Sequence, residues 1–143
     1  MKKINFVNNS EPYLSAENLN QMQSNIEEAI NGVVESGSNG TSNWVKYADG
    51  TMQCYGYVDI SGIETTAWGA LYSAIIDNPF NFPQTFSEVP QCMINTPDIS
   101  GRYTFNVHSV ATSTTGVTKI GLNRATSITG MVRLNYIAIG KWK

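Results

Sequence analysis

The chain has 143 residues, enough to fill one core but too few for separate cofactor and substrate lobes. Hydrophobic residues make up 41% and charged residues 14%, against roughly 25% charged in an average domain, so the surface is polar without being ionic. The formal net charge is −2 and the 9 Lys and Arg are scattered, which leaves no footprint for a phosphate backbone and excludes nucleic acid as an expected partner.

Met1-Lys2-Lys3-Ile4 opens with positive charge, but no apolar run of the secretory kind follows. Nor does any run approach the roughly 18 apolar residues of a bilayer span, so neither a signal peptide nor membrane insertion is expected. Pro12 marks the entry to the first element. Ser15 is a good N-cap and Glu17 places a negative charge in the first turn of a helix. Leu19, Met22, Ile26, Ala29 and Val33 then recur at alternating steps of three and four, the spacing of a coiled-coil seam. A helix of this length is marginal alone, so either the following domain or other copies of the chain must cover the stripe. The N-terminal segment and helix are assigned to 1–36. Glu35 to Ser42 is rich in Gly, Ser and Asn and reads as a flexible linker, set at 37–43, that would let the helix stand apart.

From Trp44 the periodicity changes to two, and 44–143 is read as one β-domain. Trp44 to Tyr47 is followed by an Asp49-Gly50 turn and a clear return strand. Met52, Cys54, Val58 and Ile60 lie on one face of it and Gln53, Tyr55, Tyr57 and Asp59 on the other. Ser61 to Asn81 is less regular. Prolines at 79, 83, 90 and 97 punctuate short extended pieces, Tyr103 to Ser109 alternates, and Met131 to Trp142 makes the last strand. The fold class is therefore mainly β: an antiparallel β-sandwich preceded by an N-terminal helix.

The chemistry of known catalytic and metal sites is sparse. His108 is the single histidine, and Cys54 and Cys92 are too far apart in sequence to make a zinc spacing; both cysteines are expected to be unpaired. No Gly-x-Ser-x-Gly elbow and no phosphate loop is present, so no catalytic residue, metal or cofactor is assigned. What remains is an aromatic and polar surface of the kind that stacks on sugar rings and bonds their hydroxyls. Trp68, Tyr72, Asp98, Arg102 and Tyr103 near strand ends are its candidates. The alternative for Trp68 and Tyr72 is that they plug the sandwich end or a contact between subunits.

Three stretches resemble the C-terminal domains of phage tail fibre and receptor-binding proteins, including the group related to the H-type lectins. They are Trp44-Val45-Lys46-Tyr47-Ala48-Asp49-Gly50-Thr51-Met52-Gln53-Cys54-Tyr55-Gly56, Phe82-Pro83-Gln84-Thr85-Phe86-Ser87-Glu88-Val89-Pro90 and Tyr136-Ile137-Ala138-Ile139-Gly140-Lys141-Trp142. Pro12 to Asn20 is similar to the segment that opens many tail-associated proteins of phages of Gram-positive hosts. The resemblance implies a homotrimer whose helix is a coiled-coil stalk. Its sandwich would sit at the tip of a virion tail and recognise a host surface glycan or wall polymer without enzymatic activity. Other tail proteins would join at the N-terminal end. The alternative is a purely structural baseplate or fibre connector that binds no glycan.

Overall fold

The computed structural model describes residues 15–143, so the expectations for Met1 to Leu14, including Pro12, fall outside the described residues. Helix α1 spans Ala16–Asn31. Ser15 caps it as expected, its Oγ accepting from the Asn18 N–H at 3.1 Å. Gly32 ends it, in the left-handed region with φ 55°, where a side chain would be strained. Leu19, Met22 and Ile26 are exposed along one side, and among the described residues α1 forms no extensive packing with either sheet.

Two expectations for the next segment are corrected. Val33 is not in the helix: it opens strand β1 (Val33–Asn39), which pairs antiparallel with β2 (Ser42–Tyr47). The predicted linker at 37–43 is therefore a hairpin, with Asn39 opposite Ser42 and Gly40 at φ 62° in the two-residue turn. Strand pairing needs backbone partners rather than apolar side chains, so a Gly, Ser and Asn composition does not prevent it. Gly37 lies under the Trp44 indole, and a Cβ there would run into the ring. Glu35 secures the pair by accepting from Lys46 Nζ at 2.8 Å.

The remaining strands are β3 (Thr51–Glu64), β4 (Thr66–Trp68), β5 (Leu71–Asn81), β6 (Gln91–Asn95), β7 (Asn106–Thr112), β8 (Gly116–Arg124) and β9 (Thr129–Lys141). They form a five-stranded sheet, β1-β2-β3-β9-β6, facing a four-stranded sheet, β4-β5-β8-β7, all antiparallel. This is the expected mainly β, sandwich-like architecture. Met52 and Cys54 of β3 and Val132, Leu134, Tyr136 and Ala138 of β9 face Ala74, Phe80, Ile120 and Leu122 of the other sheet, all buried. The alternation of β3 puts these residues inside and Tyr55, Tyr57 and Asp59 on the outer face, as its sequence requires. In the stretch read as irregular, β5 runs eleven residues but changes register between Asp77 and Phe80, where Asn78 has φ 49°.

The long strands give the sandwich two poles. At one, Tyr47, Thr51 and Lys141 lie beside the end of α1, and the Ala48 N–H donates to Gly32 O at 2.7 Å. Phe80, Phe82, Phe86 and Tyr136 pack edge to face and tilted near this pole, with centroid distances of 4.6 to 6.1 Å. At the other pole Glu64 pairs with Thr129, and Tyr72 with Arg124.

Candidate functional site

The pole away from the helix holds the three arginines, with Trp68, Tyr72, Tyr103 and Phe105. Its main loop, 96–105, leaves β6 and crosses the mouth of the sandwich before β7. Buried Thr96 staples the loop shut: its Oγ1 donates to Phe105 O at 2.6 Å and accepts from the Phe105 N–H at 2.8 Å. Tyr103 is tied to β9 by its N–H, which donates to Met131 O at 2.8 Å, and its ring covers Gly130.

The five predicted ligand residues fall in three places. Arg102 turns onto the outer face of the five-stranded sheet, where its Nε and Nη2 donate to the two carboxylate oxygens of Asp59 at 2.8 and 2.6 Å. Arg133 grips the same carboxylate through Nε and Nη2, both at 2.8 Å, and lies flat on Tyr57 with 3.8 Å to the ring centroid. Hydrogen bonds from Arg133 and then Arg102 hold the Asp59 carboxyl well below the usual carboxylate range. The trio carries one net positive charge on a partly exposed surface.

Tyr72 and Tyr103 sit at the open end between the sheets. Tyr72 is the cross-strand partner of Arg124, whose guanidinium lies 5.0 Å from the Tyr103 centroid and 5.6 Å from that of Phe105. Tyr72 is half-buried and Tyr103 is 40% exposed, so the end is closed by rings with one edge in solvent. Asp98 is exposed in the same loop, four residues before Arg102.

Trp68 belongs to neither group. It lies on the opposite face of the four-stranded sheet from Tyr72, 55% exposed and stacked on His108 at 5.3 Å and 24°. A shallow groove of about 500 Å³ runs beside the pair, lined by Glu64, Thr66, Ser73 and Ile75. His108 itself covers Gly121, where a Cβ would collide with the imidazole. The groove offers a flat stacking platform flanked by two hydroxyls and a carboxylate, a set suited to a sugar ring.

Sequence reasoning missed Asp59, Arg124 and Arg133 and gave His108 no role. The Tyr57-x-Asp59 and Arg133 pattern lay in the polar ladder of β3 and β9, but only the cross-strand pairing of Asp59 with Arg133 brings it together. Among the described residues no group of three or more His, Cys, Asp or Glu could hold a metal ion, and no helix is long and apolar enough to cross a membrane.

No family model matches the chain, and no curated protein matches it. Among solved structures, an N-truncated R1-type pyocin tail fibre is similar with TM-score 0.50 and 17% identity, covering 91% of this chain and 99% of that one. A C-terminal piece (residues 323–701) of the R1 pyocin fibre of P. aeruginosa gives TM-score 0.50 and 16% identity over 98% of this chain and 40% of that one. The likeness is one of fold.

Proposed function

We propose that the chain is a tail-fibre tip module of a phage or phage-derived particle. Three copies join through α1 as a coiled-coil stalk, and the sandwich is the head that recognises a host surface glycan or wall polymer. The kinship with H-type lectin-like sandwiches is part of this proposal. One observation carries it: the exposed Leu19, Met22 and Ile26 stripe leaves the sandwich at one pole, while the three arginines and the exposed rings of Trp68 and Tyr103 lie toward the other. A stripe of this kind is satisfied by parallel copies, and copies joined there present their far poles in the same direction. The fold shared with pyocin tail fibres supports the same reading.

The module acts by adhesion in this reading, with Trp68 as the stacking ring on the outer face of the four-stranded sheet, Tyr72, Tyr103 and Asp98 at the mouth, and Arg102 on the outer face of the five-stranded sheet. A shallow site of one ring and a few solvent-shared hydrogen bonds gives about millimolar affinity, and three linked copies raise it through avidity. The test pairs light scattering with adhesion to a panel of intact bacteria. A trimer that adheres, with Trp68→Ala losing adhesion at unchanged mass, is the expected result. A trimer that adheres to no cell and binds no sugar on a glycan array is the outcome of a purely structural connector.

A further inference from the structure

Three arginines mark the pole away from the helix, and two of them, Arg102 and Arg133, are neutralised in part by one carboxylate. The third, Arg124, pairs with no carboxylate among the described residues. It closes the end of the sandwich between Tyr103 and Phe105, and its Nε and Nη1 are sealed from solvent with no hydrogen-bond partner among the described residues. The residue as a whole is half-buried. A guanidinium with two sealed, unpaired nitrogens is costly, and the two ring faces offset only part of that cost. A methionine or leucine would close the same opening with no charge to desolvate.

We propose that Arg124 is the docking point for an acidic group, carboxylate or phosphate, borne by the polymer that the head recognises. The inference rests on the adhesive reading and adds the chemical class of the ligand. A planar guanidinium held between rings presents its donors in the fork that an oxyanion accepts at two points. Arg102 and Arg133 bind the Asp59 carboxylate through the fork of Nε and Nη2, and a two-point grip by Arg124 would likewise pair its Nη2 with Nε or Nη1. Of the two rings against the guanidinium, Tyr103 is 40% exposed at the edge of the loop and Phe105 is buried.

The experiment immobilises the full chain and measures binding of polygalacturonate, poly(glycerol phosphate) and neutral dextran. Wild type is expected to bind at least one acidic polymer, weakening with salt, and not dextran; which polymer binds tells carboxylate from phosphate. Arg124→Gln should lose about tenfold or more in affinity. Lys119→Gln, which removes an equal charge from an exposed surface pair with Asp77, should bind as wild type. Arg124→Met keeps the apolar stem and should melt at the same temperature as wild type or higher. Lower melting of Arg124→Met would make the guanidinium a structural plug and overturn the proposal. Arg124→Gln binding like wild type would also overturn it. So would a change in its oligomeric mass, which would place the missing oxyanion on another copy. Adhesion of wild type to cells with binding to neither acidic polymer defeats this inference alone, whereas adhesion to no cell defeats the reading beneath it.

Discussion

At the scale of single residues, Asp59 holds two guanidiniums from separate parts of the chain. Its folded-state pKa is depressed, so its contribution is present above the unfolded value near 3.9 and is lost as pH falls through the folded value. Thermal melts should therefore show stability falling below about pH 4. Asp59→Asn should melt lower than wild type at neutral pH and lose much of that acid limb, and high salt should narrow the gap, because the cluster is partly exposed. An unchanged acid limb in Asp59→Asn would remove the cluster from any account of stability. Cys54 and Cys92 act at the opposite end of the scale: both are free, and burial pushes each thiol up to about 11. They flank Ala138 in one row of the sheet, two strand spacings apart, about 10 Å between Cα atoms, which is beyond disulfide reach. Folded protein should resist thiol reagents at pH 8, and urea should release two reactive thiols. Above about pH 8.5 the unfolded thiols ionise first, so stability declines as pH rises.

Among the elements, α1 and the β1–β2 hairpin make the sharpest claims. Ile26→Lys places a charge in the proposed seam and should shift the trimer toward monomer in sedimentation, whereas an unchanged trimer would make α1 irrelevant to assembly. Gly37→Ala pushes a methyl group into the Trp44 indole and should cost about 1–3 kcal/mol in urea unfolding. These same elements separate what could be read from the sequence from what could not. The Ser15 cap and the two-faced β3 depend on neighbours within a few residues, and both were legible. The β1 strand was not, because its composition suits a linker and its order comes from β2. Nor was β5, whose register shift at Asn78 disguises the alternation. At the site, aromatic residues near strand ends could be nominated singly. The division of Trp68 from Tyr72 follows from adjacent strand positions facing opposite ways, and the Asp59, Arg102 and Arg133 cluster spans 74 residues of sequence.

For the whole molecule, the buried interior is a single layer shared by two sheets, with Leu134, Ile120 and Leu122 fully enclosed at its centre. Leu134→Ala should cost about 2–5 kcal/mol, measured by denaturant titration, since neither sheet can collapse far into the space. Little change would mean that the centre lies elsewhere. The β3–β9 pair also sets how the molecule answers mechanical load. The two strands run from pole to pole, paired from Thr51 with Lys141 to Glu64 with Thr129. A pull between Val33 at one pole and the turn before Thr129 at the other is directed along the strands, across hydrogen bonds that lie perpendicular to them. The ladder is then loaded in shear, with many bonds straining together, rather than unzipped one bond at a time. A particle tugging on a surface through this domain would be held by the stiffest direction that its sheets possess.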